Sequence, residues 1–282
     1  MTTQGAAPGY RAAATLPLRV ELVRQLRRKR TVLTLGFLTL LPVLLWLAFT
    51  IGRDDRNHGG TTLVDLATSS GLNFVVFTLF STVSFLLVVV VALFFGDTVA
   101  SEASWSSLRY LLAAPVPRDR LLRRKAVVAA LLSAFALVLL PAVAMAVGVL
   151  AYGAGELVSP TGQSMDFLPA VSRLALVPAY LVVHLAWVAG LALLLSVSTD
   201  APLGAVGGAV MVSILSQILE TIDALGGLRD YLPTQFNSAW TDLLASPIDW
   251  THLASGAFSG LAYATIFALA AWRHFATKDI TS

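Results

Sequence analysis

Six predominantly apolar runs divide this chain, at 31–51, 71–95, 126–151, 174–197, 203–219 and 253–272. A helix needs about 20 such residues to cross the hydrocarbon of a bilayer, and most of these runs meet that length. The chain has 282 residues, of which 57% are hydrophobic and only 12% charged. Mean hydropathy is +0.78. A water-soluble domain of this size needs a far more polar surface, so lipid is the expected solvent. The segment before the first run is too long and polar for a signal peptide, and no small-residue cleavage site follows that run, which is therefore expected to remain a span. The predicted fold class is an all-α polytopic membrane protein with six transmembrane helices.

Lys and Arg placement predicts the orientation. Seven lie before residue 31, six in 96–125 and two after Trp272, whereas the alternate connections hold only Arg53, Arg56, Arg173 and Arg229. Fifteen against four is a strong positive-inside bias, placing both termini and the 96–125 loop in the cytoplasm of a cell-membrane protein. Ten of the sixteen acids fall on the opposite side. The expected organisation is a disordered tail (1–14), an amphipathic interfacial helix (15–30), a six-span domain (31–272) and a cytoplasmic tail (273–282). In the interfacial helix, Leu18, Leu22 and Leu26 recur at i, i+4 and i+8, with Arg27 in the basic arc. Between spans five and six, the segment 221–251 carries Tyr231, Phe236 and Trp240 with Leu243 and Leu244, which predicts a short outer helix dipping back toward the membrane.

Missing motifs exclude much chemistry. None of the three lysines, Lys29, Lys125 and Lys278, ends a G-x-x-x-x-G-K-[ST] loop, so the chain has no P-loop with which to hydrolyse nucleotide. There is no H-E-x-x-H, no G-x-S-x-G and no cysteine. His58, His184, His252 and His274 fall in four different parts of the topology, an arrangement unsuited to a shared metal. No formal charge sits at the centre of any run, whereas ion-coupled transporters keep a buried carboxylate or a broken-helix ion site. His184 is the ionisable residue deep in a span, read as a neutral imidazole bonded to a neighbouring helix or as a path residue. Gly204 and Gly208, like Gly256 and Gly260, form small-residue pairs at i, i+4 that allow close helix approach; the first pair is a candidate subunit interface, the alternative being packing inside one chain.

Between the second and third runs lies "GDTVASEASWSSLRYLLAAPVPRDRLLRRK", with Asp97, Glu102, Asp119 and six basic residues. Trp105, Leu108 and Leu112 share a face at i, i+3 and i+7, with Glu102, Ser106 and Arg109 elsewhere. Asp97 is the expected cap of a helix over 98–112 that Pro115 and Pro117 stop. A loop needed only for topology does not require that architecture; it reads as a surface gripped by another protein.

At these residues the chain resembles the permease subunit of an ABC-2 type ABC transporter. The resemblance rests on Glu102, on the turn Pro115-Val116-Pro117-Arg118, on Lys125 opening the third span, on the interfacial helix and on "YLPTQFNSAW" at 231–240. "SWSSLRY" at 104–110 departs from it, where many relatives carry a glycine-threonine pair. The resemblance implies a second permease subunit, separate ABC ATPase subunits that supply ATP and Mg, and no cofactor or catalytic site in this chain. It also implies ATPase coupling through Glu102, Arg109, Pro115, Arg118 and Lys125, and export of a drug, antibiotic, lipid or other amphiphile. No nucleic-acid partner is expected. An ion-coupled secondary transporter and a non-transporting scaffold or sensor remain the alternatives.

Overall fold

The computed structural model describes residues 17–52, 63–104, 118–159 and 162–277. Helix α1 (Leu18–Leu26) leads through a two-residue break into α2 (Lys29–Ile51). A short helix α3 (Leu63–Ala67) precedes α4 (Gly71–Val83) and α5 (Leu86–Ser104), which together make the second span. The third span is α6 (Arg118–Tyr152). A two-stranded antiparallel hairpin, β1 (Leu157–Val158) with β2 (Ser164–Met165), then leads to α7 (Phe167–His184) and α8 (Ala186–Ser198), the fourth span. The fifth span is α9 (Pro202–Glu220) and the last is α10 (Trp250–Thr277).

Among the described residues five helices are long and apolar enough to cross a membrane, six with the bent α4–α5 pair counted as one span. The second span, expected as one helix over 71–95, bends by 55° between α4 and α5. Apolar composition is blind to such a break, because the residues on both sides still face lipid or core. The carbonyl of Ser84 at the bend accepts a hydrogen bond from Gln217 Nε2 of α9 at 3.0 Å. That contact satisfies a backbone group the broken ladder exposes. The fourth span breaks at Leu185, directly after His184.

The α4–α5 span is the most enclosed of these helices; α2 and α10 are peripheral. Helix α8 packs against α5 and α10, α9 against α5, and α6 against α2, α4 and α5. Ser196 Oγ of α8 accepts from the Val99 and Ala100 amides of α5 at 3.0 and 3.1 Å. Leu33, Phe37, Leu40 and Leu47 of α2 and Phe258, Ile266 and Leu269 of α10 point outward. An apolar outward surface is what a lipid solvent requires. The protein is an all-α polytopic membrane protein.

Both ends of the bundle are built. At one end α1 packs on α6, and Arg118 Nη1 donates to the Ala276 carbonyl near the end of α10 at 3.3 Å. We call this the terminal end. At the far end, the 221–251 segment forms two 3₁₀ stretches, Asp223–Tyr231 and Ala239–Leu244, where an ordinary short helix was expected. Trp240 and Leu243 are buried there, and Trp240 meets Phe80 edge-on at 5.5 Å. The hairpin is held by Asn73, whose side chain both donates to the Val158 carbonyl (2.7 Å) and accepts from its amide (2.9 Å).

Candidate functional site

The α1 helix turns a mixed face inward. Leu18 and Leu22 pack against the core, as their spacing predicts, but between them Glu21 is only 2% exposed and Gln25 is also buried. Val20, Val23 and Leu26 face outward, so Leu26 does not belong to the buried stripe; Arg27 is exposed as well. A buried carboxylate is costly unless it is paired and hydrogen-bonded, and Glu21 meets Arg24 and Gln25 of its own helix and Lys125 of α6.

Lys125, at the terminal end of α6, is the cation at the centre. It is 1% exposed, with Nζ 3.1 Å from Glu102 Oε1 and 3.5 Å from Glu21 Oε1. Arg24 of α1 bridges the same two acids, 2.9 Å from Glu21 Oε2 and 2.8 Å from Glu102 Oε1. Gln25 Nε2 adds a bond to Glu21 Oε1 at 3.1 Å. Arg28, in the break between α1 and α2, reaches Asp97 Oδ2 at 2.6 Å, Ser101 Oγ at 3.1 Å and Glu102 Oε1 at 3.1 Å. Arg30 pairs with the other oxygen of Asp97.

Three acids and four bases from α1, α2, α5 and α6 therefore make one connected cluster. Burial alone would push the Glu21 carboxyl up, but the Lys125 ammonium and then the Arg24 guanidinium outweigh it and hold the group below the ordinary value of 4.5. Such a cluster acts as a joint: moving α1 relative to α5 or α6 strips charge partners from a poorly hydrated place. The resistance is steep because the low local dielectric that strengthens the pairs also penalises their separation.

Several sequence-based expectations change here. Asp97 caps no helix. It sits inside α5, which runs on to Ser104, and its carboxylate serves Arg28 and Arg30. Glu102 and Lys125, expected on a surface another protein grips, are turned into the cluster; Glu102 is 6% exposed. Arg118 opens α6 and contacts the end of α10. Arg109, Pro115 and the helix expected over 98–112 beyond Ser104 lie outside the described residues. Glu21, Gln25, Arg24, Arg28, Arg30 and Asp97 are members the sequence reading did not assign. The available signal was Glu21 and Gln25 at i, i+4 on the same arc as Leu18 and Leu22.

His184 and the glycine pairs lie elsewhere. His184 is fully buried at the α7–α8 break, its Nε2 3.0 Å from Asn237 Oδ1 and Nδ1 3.4 Å from the Gly256 carbonyl, with the ring stacked on Tyr180. It joins α7 to the 3₁₀ segment and α10. Gly260 packs on the same place: a Cβ there would lie 2.6 Å from the His184 carbonyl oxygen. The second glycine pair is thus internal packing. Gly204 is exposed on α9, while Gly208 faces Leu195, whose Cδ1 would lie 3.0 Å from an added Cβ. α9 also comes close to its own bundle at Gly96 of α5, where a Cβ would meet Val206 Cγ2 at 2.9 Å.

The cluster falls within the part of the chain that comparison identifies. No curated protein matches the sequence. A family model described as ABC-2 family transporter protein matches residues 18–197, well over half the chain. That match begins at the first residue of α1 and takes in every element that supplies a charge to the cluster, and with the six-span helical architecture it shows that the chain belongs to the ABC-2 transporter family.

Proposed function

We propose that this chain is the permease subunit of an ATP-driven exporter, two copies of which form the path, with separate ATPase subunits acting at the terminal end. The observation that carries the reading is the buried ion cluster. It fastens the surface helix α1 to the ends of spans two and three, so a push on α1 or on the α5–α6 connection reaches the spans instead of bending a loop. Glu102 and Lys125 act as internal fasteners in this reading, and Arg118 links α6 to α10. Nucleotide and Mg belong to the ATPase, because this sequence has no P-loop lysine. An amphiphilic cargo suits a bundle whose polar groups are few and mostly paired.

Isolation of the chain from its own membranes should bring along a polypeptide with a Walker-type P-loop. The complex should hydrolyse ATP and move an amphiphile in vesicles, and the permease alone should do neither. Transport that survives removal of ATP but collapses with the ion gradient would overturn the proposal.

The reading also needs the terminal end to be cytoplasmic. Because the chain has no cysteine, single ones can be read without background. Ser104 and Ser238 are both exposed, at opposite ends. Ser238→Cys should react with an impermeant thiol reagent on intact cells and Ser104→Cys only after permeabilisation. The reverse pattern would put the cluster on the wrong side for an ATPase.

A further inference from the structure

At the far end of the bundle, away from the ion cluster, lies a pocket of about 600 Å³. Its floor is α4 with Val76, Phe77 and Phe80; α3 contributes Leu63 and Leu66, the hairpin Leu157 and Met165, and the second 3₁₀ stretch Asp242 and Leu244. The volume falls within the range of about 300–1,000 Å³ typical of small-molecule sites, and the wall is mostly apolar with a few polar groups, as such sites are. Those polar groups are not spread evenly. Ser159, Gln163 and Ser164 on the hairpin and Thr241, Asp242 and Ser246 on the 3₁₀ side supply most of them, and α4 adds Asn73 and Ser81 among apolar neighbours.

Among the described lining residues one is ionisable, Asp242. Its Oδ2 lies 2.5 Å from His252 Nδ1. That contact fixes the carboxylate at the pocket wall. Glu156 and Asp166 flank the hairpin. Among the described residues, the guanidinium of Arg173 donates to the Ala245 carbonyl at 2.6 Å and does not line the pocket. An apolar slot with a carboxylate at one side fits a molecule with an apolar body and one positive charge.

We propose that this pocket binds a single-chain cationic amphiphile, its tail against Leu66, Val76, Phe77 and Phe80 and its head at Asp242. The pocket lies at the ends of spans, where such a molecule would be reached from the adjoining leaflet, head toward water. Binding here needs neither nucleotide nor a second subunit. It therefore stands or falls apart from the transport reading.

The test is photolabelling of the full chain in lipid nanodiscs without ATPase. The probes are a diazirine-bearing dodecyltrimethylammonium and the uncharged dodecanol analogue with the same diazirine, followed by peptide mapping. The cationic probe should label the segments 63–81, 157–165 and 241–246 in preference to α2, and unlabelled dodecyltrimethylammonium should compete. Asp242→Asn keeps an acceptor for His252 while removing the charge. It should weaken the cationic probe roughly tenfold and leave the neutral probe unchanged. Ser81→Trp, at an exposed α4 position lining the pocket, should block both probes, and it keeps the test open should Asp242→Asn fail to remain monodisperse. Equal labelling by the two probes, labelling indifferent to Asp242→Asn in a folded variant, or labelling spread evenly over the outward face of α2 would each overturn the proposal.

Discussion

Replacing Lys125 by methionine should destabilise the terminal end more than any other single change in the ion cluster. Methionine fills much of the volume of the lysine stem, so packing is largely kept and the charge alone is deleted. The variant leaves Glu21 and Glu102 buried with their shared cation gone. Removing one partner of a buried pair costs about 3–5 kcal/mol. Here the effect should lie toward the lower end, because Arg24 still bridges both acids and Arg28 still reaches Glu102. The readouts are the melting temperature of the purified protein and tryptic cleavage beside Arg27 and Arg28, which should accelerate as α1 detaches. Adding Glu21→Gln removes the stranded charge and should restore part of both. If Lys125→Met melts and digests like the wild type, the cluster is not the joint described.

The same substitution changes the pH response, with a definite sign. In the wild type the Glu21 carboxyl is held below 4.5. Its contribution is present above the unfolded value and is lost as pH falls through the lower, folded one. In Lys125→Met the main lowering charge is gone and burial pushes the carboxyl up. Protonating Glu21 then relieves the stranded charge, so the gap between variant and wild type should narrow as pH drops from about 8 toward 5. A gap that widens over that interval would mean that Glu21 is not the group left unpaired.

The spans were legible in the sequence and the joint was not, for one physical reason. Lipid imposes a one-dimensional rule, a run of apolar residues of fixed length, and the runs at 31–51 and 126–151 satisfy it without reference to anything else in the chain. The cluster is a three-dimensional solution. Glu21 and Lys125 are more than a hundred positions apart, and no local period relates them. Glu21 therefore went unassigned, and Glu102 and Lys125 read as parts of an outward surface. The bend at Ser84 was hidden differently: Phe85, Leu86 and Leu87 continue the apolar run, and the group that accommodates the break, Gln217, belongs to another span. Asp97 was placed at a helix start because acids favour that position, but two arginines from the α1–α2 region satisfied it inside the helix. Glycine spacing was legible only as the capacity for close approach. Which neighbour a glycine approaches required the packed bundle.

Gly148→Leu should show the strength of that last point, with a larger effect than any substitution at the i, i+4 glycine pair of α9. An added Cβ at Gly148 would lie 2.7 Å from the Gly71 carbonyl oxygen and 3.1 Å from the Gly71 Cα. The reciprocal Cβ at Gly71 would lie 2.7 Å from the Val149 amide nitrogen and 2.8 Å from the Gly148 carbonyl carbon. These are backbone atoms on α4 and α6, so no side-chain rotation relieves the clash and the helices themselves must part. Overpacking a well-packed core typically costs about 1–3 kcal/mol, and a leucine wedged between two backbones should reach or exceed the top of that range. The separation would also pull on the Gly71 amide, which bonds the Gly153 carbonyl at 3.0 Å, and on Asn73, which holds the hairpin beside the far-end pocket. Gly36 on α2 is the control, because nothing lies within 4 Å of a Cβ placed there. Gly36→Leu should leave the melting temperature level or slightly raised, since leucine is the better helix former. Gly204→Leu should likewise leave the single chain intact, as its Cβ would meet only Ala201 Cβ at 3.6 Å; a loss of dimer in that variant would then report on the subunit contact and not on the fold. Equal melting temperatures for Gly148→Leu and Gly36→Leu would show that α4 and α6 are not held backbone to backbone.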